Sequence, residues 1–168
     1  MPAIELVPID IEPESPTGRE WDGDLSPFTA PEKLHLNRPW SSGEHTYASN
    51  GAVLIVVPRR AGVEISQIAP TDQVEETLVT MYPERPDLWS WIRIPETLAL
   101  LGDDAPPRMI GKQPFATNLL KLIQRLPDCE ICHDYDSMKL APPEGPDHPA
   151  APFRFNGGFG LIMPVVIK

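Results

Sequence analysis

Cysteine is scarce in this chain: Cys129 and Cys132 are the only two in 168 residues. One pair does not make a disulfide framework. Apolar runs of membrane-spanning length are missing, as is a basic stretch followed by an apolar one of the secretory kind. These absences predict a soluble, cytoplasmic protein with no membrane partner. Catalytic signatures are missing too: there is no Gly-x-Ser-x-Gly, no phosphate loop and no His-Glu-x-x-His. The expectation is a non-enzyme without a cofactor. Cations are few, 14 Lys and Arg against 24 Asp and Glu, for a net charge of −10. Such a balance disfavours non-specific binding to nucleic acid, while leaving room for a local basic stripe.

Proline, by contrast, is abundant: 22 residues, where ~5% of a chain is usual. That density excludes a long helical bundle and favours short strands, turns and extended loops. The acids are uneven. In the first 35 residues Glu5, Asp10, Glu12, Glu14, Glu20, Asp22, Asp24 and Glu32 face only Arg19 and Lys33. Residues 1–40 are therefore set apart as an acidic, proline-rich arm, and 41–168 as one folded domain. Two readings of the arm stand open. It is a solvated tail, or it binds a basic surface on a partner through Glu5, Asp10, Glu12, Glu14, Glu20, Asp22 and Asp24.

Two hairpin signatures dominate the domain. Glu44 to Pro58 and Phe153 to Lys168 each hold an Asn-Gly step, Asn50-Gly51 and Asn156-Gly157, between strand-forming residues. Asn and Gly tolerate the positive φ of tight turns. Val53 to Val57 is apolar on both faces, as in a strand covered on both sides. Weaker strand signals lie at 3–11, 63–68 and 88–94. Trp21 and Phe28 are expected to anchor the loop at 12–32, and the tryptophans to belong to the core.

A helix is predicted over 71–81, with Asp72-Gln73-Val74-Glu75 at capping-box spacing and Val74, Leu78 and Met81 on one side. A short helical turn is expected at 96–101, a loop at 102–107 and an extended piece at 109–114. The strongest helix signal runs over 116–126, with Leu119, Leu122, Ile123 and Leu126 as its apolar stripe. Asn118, Lys121 and Arg125 share its other side. A proline-rich loop follows at 141–151. The fold class expected is α+β, antiparallel strands with two short helices on one face.

The order of these motifs resembles one domain of the bacterial DNA polymerase III β sliding clamp. Ala48-Ser49-Asn50-Gly51 stands where clamp domains carry Ala-Thr-Asp-Gly. Phe115 to Leu126 is similar to the clamp helix with a Tyr-Leu-Leu pattern. Leu161-Ile162-Met163-Pro164-Val165-Val166-Ile167 is similar to the clamp's closing Val-Met-Pro-Met-Arg-Leu. Small phage proteins with the same hairpin motifs are also similar. The resemblance covers 44–168 in patches and implies a clamp-like protein of DNA metabolism. Lys121 and Arg125, with Lys112, would then face duplex phosphates, and ring closure would need self-association through edge strands.

The rival expectation is an acidic inhibitor or DNA mimic acting on a host or defence complex that binds nucleic acid. Other constellations carry less. Cys129-x-x-Cys132 has a spacing seen in zinc sites, but four ligands are needed and no second pair exists. Two thiols beside a strand is the plain reading, and zinc stays open. His133-Asp134-Tyr135-Asp136 has residue types suited to catalysis without a motif. Gly157-Gly158-Phe159-Gly160 leads into a strand rather than the helix that phosphate binding requires.

Overall fold

The computed structural model describes residues 21–66, 69–81, 90–95, 98, 100–102, 104–110, 113–132 and 150–165, the side chains of 79–81 excepted. The two Asn-Gly hairpins form and then pair with each other. The first joins β2 (His45–Ser49) to β3 (Val53–Pro58), and the second joins β8 (Ala151–Phe155) to β9 (Gly158–Ile162). β3 runs antiparallel to β9, with Ile55 opposite Gly160 and Val56 opposite Phe159. Around this centre lie β1 (Trp40–Ser42), β4 (Trp91–Arg93) and β7 (Glu130–Cys132). They complete a seven-stranded antiparallel sheet in the order β1-β2-β3-β9-β8-β7-β4. β5 (Arg108–Ile110) and β6 (Gln113–Phe115) form a separate hairpin, where a single extended piece is expected from the sequence.

The turns show why Asn and Gly stand where they do. The Asn50 Oδ1 accepts from the backbone N–H groups of Ala52 and Val53, both at 2.8 Å. Gly51 has φ of 94° and Gly157 of 121°, backbone conformations that side chains disfavour. In β9, a Cβ on Gly160 would collide with the Leu54 carbonyl and stand 2.5 Å from the Phe153 ring. The missing side chain is what lets that ring lie against the strand.

β3 explains the layering. Val53, Ile55 and Val57 enter one hydrophobic core, and Leu54 and Val56 enter another. A sheet that is apolar on both faces needs a cover on each. Helix α2 (Thr117–Gln124) supplies the first cover, burying Leu120 and Ile123 in the core that holds Ile55, Phe153 and Phe115. Helix α1 (Thr71–Met81) supplies the second, laying Val74 and Leu78 against the core of Trp40, Tyr47, Leu54 and Leu161. The α+β class stands, but the two helices lie on opposite faces, not on one. The apolar doubling of Val53 to Val57 is the reason.

Several local expectations also change. Residues 63–66 are not a strand, though the Ser41 N–H of β1 donates to the Glu64 carbonyl, and 67–68 lie outside the described residues. Asp72 sits inside the first turn of α1, where an acid suits the helix dipole, and the Glu75 carboxylate accepts from the Ser42 hydroxyl at 3.1 Å. The expected capping box is thus not made. Leu120, outside the expected stripe, is as deeply buried as Ile123; Leu126 of the stripe is buried too, whereas Leu119 and Leu122 are half-buried. The strand expected at 88–94 is represented by β4, three residues long, and around Leu98, where a helical turn is expected, the Leu98 N–H donates to the Pro95 carbonyl and the Leu101 N–H to that of Leu98. Expectations for 3–11 and 141–149 lie outside the described residues.

Residues 21–39 pack as part of the body. Leu25 and Phe28 enter the first core, and Ala30 and Leu36 the second. Trp21 meets Phe155 edge-on at 5.5 Å beneath the Arg60 guanidinium, which donates to the Gly23 carbonyl. The boundary expected at residue 40 therefore has packed chain on both sides. No helix among the described residues is long and apolar enough to cross a membrane.

Candidate protein-binding site

The two helices differ in what they do with charge. On α2, the Lys121 ammonium is half-buried and donates to the Leu101 carbonyl at 2.6 Å. Arg125, at the C-cap, is exposed and sits in the field of Asp24. The Asp24 carboxyl is held below its usual range chiefly by the Ser26 backbone N–H and hydroxyl, with Arg125 adding to the effect. Lys112 lies outside the described residues. The helix thus carries one cation spent on a carbonyl and one beside an acid.

The acids expected to meet a partner divide likewise. Glu5, Asp10, Glu12, Glu14 and Glu20 lie outside the described residues. Asp22 and Asp24 are exposed but work locally. The Asp22 carboxylate accepts from the Asp24 N–H at 2.9 Å, and that of Asp24 from the Ser26 N–H at 3.0 Å and hydroxyl at 2.8 Å. Together they shape the 3-10 turn that drives Phe28 into the core.

Among the described residues a further acidic surface lies on α1, which was not singled out by the sequence reading. Asp72, Glu75 and Glu76 are exposed, and the helix holds no Lys or Arg. Glu75 is tied to the β1–β2 corner through Ser42, next to exposed Glu44, and exposed Glu64 holds the outer side of β1 through its carbonyl. The cation of that corner, Arg59, donates to the Gly43 carbonyl at 2.9 Å. Close by, burial first and Glu75 second push the Tyr47 phenol above its ordinary pKa. The signal was present in Thr71-Asp72-Gln73-Val74-Glu75-Glu76-Thr77, a helix whose charges are all of one sign.

A cleft of about 280 Å³ opens beside α1. Leu36, Leu54, Val74, Ala150 and Leu161 give it an apolar floor, with the exposed His35, Gln73, Thr77 and Met163 at its rim. A second hollow of about 320 Å³ lies between Arg38-Pro39 and the loop from Gly62 to Ser66.

The remaining candidates resolve into structure. Cys129 and Cys132 are buried thiols. Cys129 precedes β7 and Cys132 is its last residue, and the pairing with β4 continues through the Ile94 N–H to the Cys129 carbonyl. Extended chain separates residues three apart by about 10 Å, beyond the ~7 Å limit for bridging. Among the described residues no group of three His, Cys, Asp or Glu is placed to hold a metal; His133 lies outside them. Trp40 and Trp91 are core residues, Trp91 lying 4.3 Å beneath the Arg154 guanidinium, which pairs with Glu130 at 3.0 Å. Trp89 is outside the described residues. Gly158 and Gly160 are strand residues of β9. No family model, curated protein or solved structure matches this chain.

Proposed function

We propose that this is a non-enzymatic interaction protein that engages a basic surface of another macromolecule, in the manner of an inhibitor or nucleic-acid mimic. The observation that carries this reading is the one-signed face of α1: Asp72, Glu75 and Glu76 exposed, with no cation in the helix. Such a face steers a cationic partner and repels a phosphate backbone.

The clamp-like, DNA-associated reading asks Lys121 and Arg125 to meet phosphate. It is the weaker proposal, because Lys121 already donates to the Leu101 carbonyl and Arg125 shares its surroundings with Asp24. Fluorescence anisotropy at low salt separates the two. We expect labelled oligolysine to bind and labelled duplex DNA not to bind. Reversal of Glu75 and Glu76 to Lys should remove most of the oligolysine binding. DNA binding that disappears on Lys121→Glu with Arg125→Glu would instead establish the clamp-like reading.

A further inference from the structure

We infer that the cleft beside α1 receives one large apolar side chain from a basic peptide segment of the partner. The inference rests on the reading above and adds the class of sequence recognised. Pockets that enclose drug-sized ligands begin at ~300 Å³. At about 280 Å³ this cleft suits a single anchoring side chain. Its floor, Leu54, Val74 and Leu161, is apolar and belongs to the second core. Its helical rim, Gln73 and Thr77, alternates in sequence with Asp72 and Glu76. An apolar anchor seated here would place flanking cations of the same segment against the α1 carboxylates. Charge complementarity thus selects a basic peptide as occupant. The Gly51 wall carries the opposite charge, the Lys33 ammonium lying 2.9 Å from where a Gly51 Cβ would be, so the cations of the segment belong on the α1 side. Anchors in pockets of this kind, ringed by weaker polar contacts, carry most of an interface's energy.

The test uses the full chain and two synthetic peptides, Lys-Lys-Lys-Phe-Lys-Lys-Lys and its Phe→Ala counterpart, followed by anisotropy. The phenylalanine peptide should bind at least about tenfold more tightly, as burial of one aromatic side chain implies. Thr77→Trp places a ring over the cleft from an exposed position. It should abolish that difference. If that variant does not fold, Gln73→Trp, one turn earlier on the same rim, replaces it. Equal affinity of the two peptides for the unaltered protein would overturn the cleft inference while the acidic reading stood. Binding of neither peptide would overturn both.

Discussion

α1 and α2 cover opposite faces of one sheet, and they cover them differently. α2 sinks Leu120 and Ile123 completely, among the rings of Phe28, Phe115 and Phe153. Beneath α1 the strands are just as buried, but among its described side chains the helix contributes the half-buried Val74 and Leu78, and a cleft lies at its side. The charges follow the packing. The α2 side ties Lys121 to a carbonyl, whereas α1 carries three exposed carboxylates, that of Glu75 accepting from the Ser42 hydroxyl. On one face the helix is sunk into the core, and on the other a cleft lies beside a helix whose charges are all acidic. That asymmetry is the reason for assigning binding to α1.

The comparison breaks most severely at the strand both faces share. Gly160→Val would force a side chain into the Leu54 carbonyl and the Phe153 ring. A loss of about 3 kcal/mol or more is expected, seen as a collapse of the denaturant midpoint. Next come the helices themselves. Leu120→Ala should cost about 2–5 kcal/mol, the range for a fully buried leucine. Val74→Ala, half-buried at the edge of a cleft, should cost about 1 kcal/mol. Chemical denaturation of both variants measures the ratio directly, and equal losses would remove the distinction between the faces.

Smaller effects sharpen the same picture. Asn50→Ala removes two turn hydrogen bonds and should cost about 1 kcal/mol, leaving β9 in place. For Tyr47 the sign is set by a folded-state pKa above its unfolded value of 10.0. The stability linked to it is fully present below that value and is lost as pH rises through the raised folded value. Unfolding followed across the alkaline range should show this loss, and Tyr47→Phe should remove it.

How much of this was legible beforehand follows from how local each feature is. The hairpins were readable because Asn50-Gly51 and Asn156-Gly157 act through their own backbone and near neighbours. The 71–81 helix was readable from the spacing of its apolar residues. That β3 pairs with β9 was not, since nothing in either strand names its partner across a hundred residues. Helix placement was misjudged although Val53 to Val57 already carried the signal: an apolar strand on both faces demands two covers. Lys121 read as a free cation because the Leu101 carbonyl that accepts from it lies twenty residues away. The cleft was invisible for the same reason, its floor being drawn from Leu36, Leu54, Val74 and Leu161.

The most direct test of the assignment to α1 is an NMR titration of the labelled protein with the lysine-flanked phenylalanine peptide. The account predicts shift changes concentrated at Asp72 to Leu78 and around Leu36 and Met163. Changes concentrated instead on α2, around Lys121 and Arg125, would contradict it.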